Sequence, residues 1–396
     1  MLFCARCRKL FHDDGEICPF CGADLTHPPD PRMGTKVGSY LLIDVLGRGG
    51  MGKVYKAEHV FIGRAFAVKI LHPRFKDYPD YVERFLFEAR AAARIQHPNI
   101  VQITDFGYTD DGIPFFVMEY MQGEELVDLI DREAPLPLYR AVNILSQVAS
   151  ALAVCHEAHI VHQDLKPENI FLVRKQGRRQ LVHLQDDPLA PFRLEYEDTY
   201  DQVKILDFGV AHLARIQTEN TIAGTPEYMA PEQARGVIGD FRSDVYSCGV
   251  IFYEMITGEL PFSAETAEEL FQKTLLKPVV LPSVRFPHLH LPPTVDTFIE
   301  RCLAKKPEER YQNMDDFVLA LRSCFGNVFY SRDLPSLLDK KPDIPASLRA
   351  DLKALFDSGK LDRASTIQKA RVTRPPVPDI DPALKADLSD LFKKKK

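Results

Sequence analysis

The sequence predicts an α+β chain of two lobes, the first strand-rich and the second helix-rich. Two patterns carry this. Glycine-broken runs of β-type residues fill the stretch after Tyr40, and apolar residues at helical spacing dominate from Pro137 onward. Composition divides the chain into residues 1–26 (short and Cys-containing), 27–39 (HPPDPRMGTKVGS, read as a linker), 40–324 (the large region) and a tail from 325 to 396.

In the large region, YLLIDVLG, GKVYKAEHV and RAFAVKIL read as strands separated by glycine turns. DYVERFLFEARAAARI, from Asp80 to Ile95, combines strong helix formers with a period near 3.6, so it is expected as a helix. Strands VQITDFGY and PFFVMEYM follow. Helices are then expected over LYRAVNILSQVASALAVCHEAH, SDVYSCGVIFYEMITG, PTVDTFIERCLAK and MDDFVLALRSCF.

With 45% hydrophobic and 27% charged residues, the chain reads as an ordinary globular protein. A formal net charge of -6 argues against nucleic acid as a partner, because phosphate binding needs a basic field. No run reaches the ~18 uninterrupted apolar residues of a membrane span, and the start carries no apolar signal core. The expectation is therefore a cytoplasmic protein without a membrane partner. Of eight cysteines, four stand in CxxC pairs, while Cys155, Cys248, Cys302 and Cys324 sit in apolar stretches as reduced core residues.

The first chemical feature is LGRGGMGKV, residues 46–54, where Gly47, Gly49 and Gly52 stand at GxGxxG spacing with Gly50 between them. Missing side chains let backbone amides approach phosphate oxygens. Alone, the motif fits a hairpin turn as well as a nucleotide loop, and its place between two strands disfavours a dinucleotide fold. Lys69 follows seventeen residues after Gly52, a cation on an apolar strand that needs a partner if buried. Glu88, mid-helix, could supply one. HQDLKPEN then gathers Asp164, Lys166 and Asn169: a proton acceptor, a cation and an amide. In VKILDFG, Asp207 stands just after a strand. Asp and Asn offer the hard oxygens that suit Mg2+, the ion that bridges ATP phosphates.

Together with GTPEYMAPE and DVYSCG, this ordered set resembles the Hanks-type, eukaryotic-like protein kinases over roughly residues 40–324. The resemblance implies a two-lobed kinase fold and ATP-dependent phosphoryl transfer to serine or threonine of protein substrates. It implies that Gly47, Gly49, Gly50 and Gly52 cover the phosphates, and that Lys69 contacts them while paired with Glu88. Asp164 would accept the hydroxyl proton, Asn169 and Asp207 would hold Mg2+, and Lys166 would neutralise the phosphoryl group. Leu46, Val54, Ala67 and Phe171 would sandwich adenine, with Met118 as gatekeeper, Glu119 and Met121 as hinge contacts and Glu125 on the ribose. Thr225 would bond Asp164 and Lys166, Glu232 would pair with Arg310, and Asp244 would brace the catalytic loop. The lysine two places after Asp164, and GTPEY, are similar to the serine/threonine branch; GxGGMGxVY is similar to its bacterial members.

Two features depart from that family. Gln163 stands where an arginine usually precedes the catalytic aspartate, and a neutral amide cannot form the charge-assisted bond to a phosphorylated activation loop. Activity is therefore expected not to depend on phosphorylation of Thr218 or Thr221. An insertion, roughly 174–201, is expected to extend a β-hairpin, as a tolerated loop or a docking element.

Outside the resemblance, Cys4-x-x-Cys7 and Cys18-x-x-Cys21-Gly22 read as a zinc ribbon: four thiolates for one tetrahedral Zn2+, with His12 as an alternative ligand. So short a segment holds no core without metal. In the tail, IPASLRADLKALF (344–356) and IDPALKADLSDLF (380–392) repeat at a spacing of 36 residues, each a short amphipathic helix that packs on the large region or docks on a partner. The alternatives to an active enzyme are an ATP-binding pseudokinase or scaffold, prompted by Gln163, and a zinc-dependent nucleic-acid binder, which the charge disfavours.

Overall fold

The computed structural model describes residues 2–4, 10–11, 16–23, 30–176, 199–207 and 225–324. Cys7, the middle of the insertion, Phe208, Gly209, Thr218, Thr221, Gly224 and both tail repeats lie outside them.

Strands β1 (Leu2–Phe3) and β2 (Leu10–Phe11) form a two-residue antiparallel pair in the cysteine segment. A six-stranded antiparallel sheet follows, in the order β3 (Lys36–Val37), β4 (Tyr40–Arg48), β5 (Gly52–His59), β6 (Ala65–Leu71), β8 (Pro114–Glu119) and β7 (Ile103–Tyr108). Its register sets the chemistry of its faces. Val54 lies opposite Lys69, Lys69 opposite Phe116 and Ala67 opposite Met118. Because side chains alternate along a strand, one face carries Val54, Ala67, Lys69, Phe116 and Met118, and the other carries Lys53, Tyr55, Val68 and Val117. Helix α1 (Pro79–Arg94) runs beside the sheet, buries Phe85, Ala89 and Ala92, and sets the Phe85 ring 4.9 Å from Phe116.

From Asp30 onward, residues 27–39 do not behave as a linker. Asp30 is buried, and Lys36–Val37 pair with Tyr40–Leu41 of β4. A buried carboxylate holding a lysine and a tyrosine gives this Pro/Gly-rich stretch a fixed place that its composition does not announce.

The second lobe opens with β9 (Glu124–Glu125) and α2 (Leu126–Glu133), then α3 (Leu138–Glu157). Long and apolar as α3 is, it buries residues on nearly every side within the lobe, as a core helix does. Strands β10 (Ile170–Gln176) and β11 (Thr199–Ile205) pair from Ile170↔Ile205 out to Gln176↔Thr199, so the insertion leaves from the tip of a hairpin, as its flanks predict. Gly123 lets β9 reach β10: a Cβ there would lie 1.9 Å from the Leu172 carbonyl oxygen. The short α4 (Pro231–Ala234) leads to α5 (Phe241–Thr257), the buried centre of the lobe. Asp240 caps α5 by accepting from the Arg242 amide at 2.8 Å, and left-handed Gly258 (φ 77°) ends it. Helices α6 (Ala267–Leu276), α7 (Pro282–Arg285), α8 (Pro293–Cys302) and α9 (Met314–Cys324) complete it.

Candidate active site

The cleft face of the sheet, the turn between α3 and β10, and the end of β11 meet at one place. Lys69 Nζ lies 2.8 Å from Glu88 Oε1 and 2.7 Å from Asp207 Oδ1, which joins β6, α1 and the residue after β11. Burial alone would draw the ammonium's pKa down, but the charges of Asp207 and Glu88 outweigh it and hold the lysine above its ordinary value. The two carboxylates part company. Burial pushes Glu88 up to about 8, with Asp207 adding repulsion that Lys69 only partly offsets. Asp207 is also penalised by burial, yet Lys69 holds it below the usual carboxylate range, and its side chain is 48% exposed against 9% for Glu88.

The catalytic loop is held by its backbone. Asp244, fully buried on α5, accepts from the amides of His162 (2.9 Å) and Gln163 (2.8 Å) and pairs with His156 Nε2 at 2.7 Å. Burial opposes its charge, but the hydrogen bond and charge of His156 lead the effects that keep its pKa low. Gln163 takes a left-handed conformation (φ 63°), a sparsely populated one for a residue with a side chain, and three hydrogen bonds hold it there. These three bonds are the amide to Asp244, the side chain donating to the Gly239 carbonyl at 3.1 Å, and its own carbonyl accepting from Gln233 Nε2 at 2.9 Å. Gly239 leaves room for this, since any Cβ there would meet Ser243 Oγ at 2.0 Å. Gln233 is a loop-fixing residue that the sequence motifs do not single out.

Beyond that anchor, Lys166 Nζ donates to Thr225 Oγ1 at 2.9 Å and stands 3.7 Å from Asp164 Oδ2. Asn169 donates its amide NH2 to the Asp164 carbonyl at 2.7 Å, which fixes the amide and leaves its oxygen for a cation. The Asn169 carbonyl accepts from Leu206 N at 2.8 Å, bringing Asp207 to the same side. Asp207 gives one oxygen to Lys69, and its side chain stays half-exposed. A fixed amide oxygen and a half-exposed carboxylate are donors that suit Mg2+. These residues fit the ion.

At the mouth, Gly49 N donates to Gly52 O at 2.9 Å, which makes the glycine run a hairpin turn between β4 and β5. Gly52 is obligatory, since a Cβ there would come within 2.3 Å of the Ile70 carbonyl oxygen. A Cβ at Gly47 or Gly50 would meet open space. Leu46 is exposed, Val54 and Phe171 are half-buried, and Ala67 and Met118 are buried. The Glu119 amide donates to Gln102 O at 3.0 Å, and its carboxylate takes Lys204 Nζ at 2.6 Å, so at this residue only the carbonyl is left for a ligand. Met121 is partly buried against the sheet core. Glu125 lies opposite Phe171, its pKa raised first by burial and then by Asp128, Glu168 and Asp207. In the second lobe, Arg310 is fully buried and grips Glu232 with two nitrogens at 2.8 and 2.7 Å.

Three cysteines of the first segment also converge. The sulfurs of Cys4, Cys18 and Cys21 all lie within 4.8 Å of one another, Cys4 and Cys21 at 3.5 Å. Cys18 N donates to Ala23 O, Gly22 N donates to Cys18 O, and Gly22 is left-handed (φ 69°), the tight turn its position predicts.

Residues 40–318 match the family described as "Protein kinase domain". The chain is 42% identical over 326 residues to "Serine/threonine-protein kinase Pkn1" of Myxococcus xanthus, covering 80% of this chain and 43% of that one. It is 37% identical over 306 residues to "Serine/threonine-protein kinase pkn3" of the same organism, covering 75% and 52%. "Serine/threonine-protein kinase PrkC" of Bacillus subtilis is 34% identical over 291 residues, at 73% and 41%. The chain thus spans about half the length of these relatives or less. Among solved structures, the Mycobacterium tuberculosis PknI kinase domain has a similar fold, with a TM-score of 0.53 at 24% identity, covering 74% of this chain and 98% of that one. A family match over most of the chain, on a two-lobed fold whose motifs meet at one cleft, places this protein in the protein kinase domain family.

Proposed function

We propose that this chain is an ATP-dependent protein kinase that transfers the γ-phosphoryl group to serine or threonine hydroxyls of protein substrates. The observation that carries the reading is the meeting of Asp164, Lys166 and Thr225 with Asn169, Asp207 and the Lys69–Glu88 pair. Phosphoryl transfer needs positioning and charge neutralisation more than covalent chemistry. Lys69, held charged between two carboxylates, is placed to meet phosphate oxygens. Asp164 receives the hydroxyl proton, and Lys166 balances charge on the moving group. The Lys166–Thr225 bond supports the serine/threonine preference, because it closes the acceptor side of the loop. Asn169 and Asp207 would hold Mg2+, which would supply charge neutralisation at the phosphates when bound. The glycine turn would lie over the phosphates, Leu46, Val54, Ala67 and Phe171 would flank adenine, and Glu125 would serve the ribose.

Purified protein with Mg-ATP and a generic protein acceptor should place phosphate on serine and threonine, and Asp164→Asn should stop it. Equal incorporation by both forms contradicts the reading. Nucleotide binding without transfer by the wild type would make the chain a pseudokinase.

The cysteine cluster supports a structural Zn2+ held by Cys4, Cys18 and Cys21, with Cys7 as the fourth thiolate. Zn–S bonds of about 2.3 Å set neighbouring sulfurs somewhat under 4 Å apart in a tetrahedron, close to the Cys4–Cys21 separation. About one zinc per chain, lost in Cys18→Ser with Cys21→Ser, is the expected metal analysis; zinc retained by that variant rules the site out. The tail repeats remain candidates for docking a protein partner.

A further inference from the structure

From its place on the far face of the sheet, we infer that Asp30 is a positioning residue for the glycine loop, supplied by the chain's own extension ahead of the kinase domain. The inference rests on the reading of that loop as the ATP-phosphate loop. Asp30 is 1% exposed and ten residues ahead of the family match. Its carboxylate accepts from Lys53 Nζ at 2.8 Å, from Tyr55 Oη at 3.1 Å and from the Arg32 amide at 3.0 Å. These partners flank Val54, and Lys53 forms the last cross-strand pair of the loop's stem, with Arg48.

The stem is therefore held from both faces. On one side Gly52 presses against the Ile70 carbonyl, and Val54 lies in register with Lys69. On the other, Asp30 holds the alternate residues of the same strand. The segment that carries it is anchored independently. Gly34 N donates to Leu42 O, Leu42 N donates to Thr35 O, and Arg32 pairs with Asp111 at the β7–β8 turn at 2.8 Å. Tyr55 Oη is buried with Asp30 as its acceptor, so losing the carboxylate leaves a buried hydroxyl to be satisfied by moving β5 or admitting water. A rotation of β5 is passed directly to Gly52 and Val54.

The experiment is steady-state kinetics of the full chain with ATP and protein acceptor varied separately, on Asp30→Asn and Lys53→Met. Lys53 is one-third exposed, so its variant folds even if the Asp30 one does not. Both variants should raise KM for ATP about five- to tenfold while KM for the protein acceptor stays within twofold, and the double variant should be no worse than either alone. Arg32→Ala, which removes only the pair with Asp111, should leave both constants within twofold. The inference is overturned if KM for ATP stays within twofold in both variants, if both KM values rise together, or if the two effects multiply. Failure of the kinase reading is distinct: the wild type would then transfer no phosphate at all.

Discussion

Two buried ion pairs organise this molecule, and they are built to opposite ends. In the second lobe, Arg310 meets Glu232 two-pronged. It also donates to the carbonyls of Ala304, Arg242 and Lys305, and Ser243 donates to Glu232. Charge is balanced, every donor is used and the guanidinium is sealed from water, which makes a clamp. In the cleft, one lysine serves two carboxylates, one of them half-exposed. Glu88 is pushed up far enough to keep its proton at neutral pH, so the open charge of the cluster is the half-exposed carboxylate of Asp207. A sealed and matched pair holds a fold; a pair with a half-exposed carboxylate keeps an oxygen within reach of a ligand.

Breaking each pair should therefore damage a different property. Lys69→Met should reduce phosphoryl transfer about 10³-fold in kcat, since it removes a cation aimed at the phosphates. Its melting temperature should fall far less than that of the clamp variant, because Glu88, raised to about 8, already holds a proton at neutral pH. Arg310→Met leaves a buried carboxylate without its cation and should cost about 3–5 kcal/mol, a fall on the order of 10 °C by calorimetry. Converting Glu232 to Gln in the same chain should restore part of that loss. Equal thermal damage from the two single variants would erase the contrast.

A third carboxylate sharpens it. Glu254 accepts from Tyr228 Oη at 2.8 Å, and burial first, then Glu168, Asp131 and Glu227, push its pKa up to about 7. The folded state thus keeps a proton that the unfolded chain sheds near 4.5. Stability from this group falls as pH rises from about 4.5 to 7 and is level above that. Glu254→Gln cannot ionise, so its stability relative to wild type should improve by about 3 kcal/mol across that window in urea unfolding. A constant difference would place the carboxyl in contact with water. The smallest effect is expected at the activation segment. With the Gln163 amide bonded to Gly239, Thr218→Ala with Thr221→Ala should keep activity within a few-fold of wild type; loss of nearly all activity would show that phosphorylation is required.

Much of this was legible in the sequence because the motifs are local. The glycine turn, the strand bearing Lys69 and the HQDLKPEN turn each state their conformation within ten residues. The main helices fall within a few residues of their expected limits, and Gly22 marks its turn. What escaped depends on distant partners. Asp30 lies in a stretch without periodicity and reaches Tyr55 twenty-five residues on. β9 exists only because Gly123 admits the Leu172 carbonyl. The amide of Asn99, which donates to Val203 O and Gln147, ties the segment before β7 to β11 across more than a hundred residues. Lys204 likewise reads as an ordinary strand lysine until Glu119 is beside it.

The central claim, that the cleft keeps the half-exposed carboxylate of Asp207 for a metal nucleotide, is tested most directly by thermal unfolding with and without Mg-ATP. At about 100 times its dissociation constant, Mg-ATP should add about 2.7 kcal/mol of stability to the wild type. That corresponds to a rise of several degrees. Asp207→Asn should melt close to the wild type without ligand and lose most of that rise. No rise in the wild type, or the same rise in both, would contradict it.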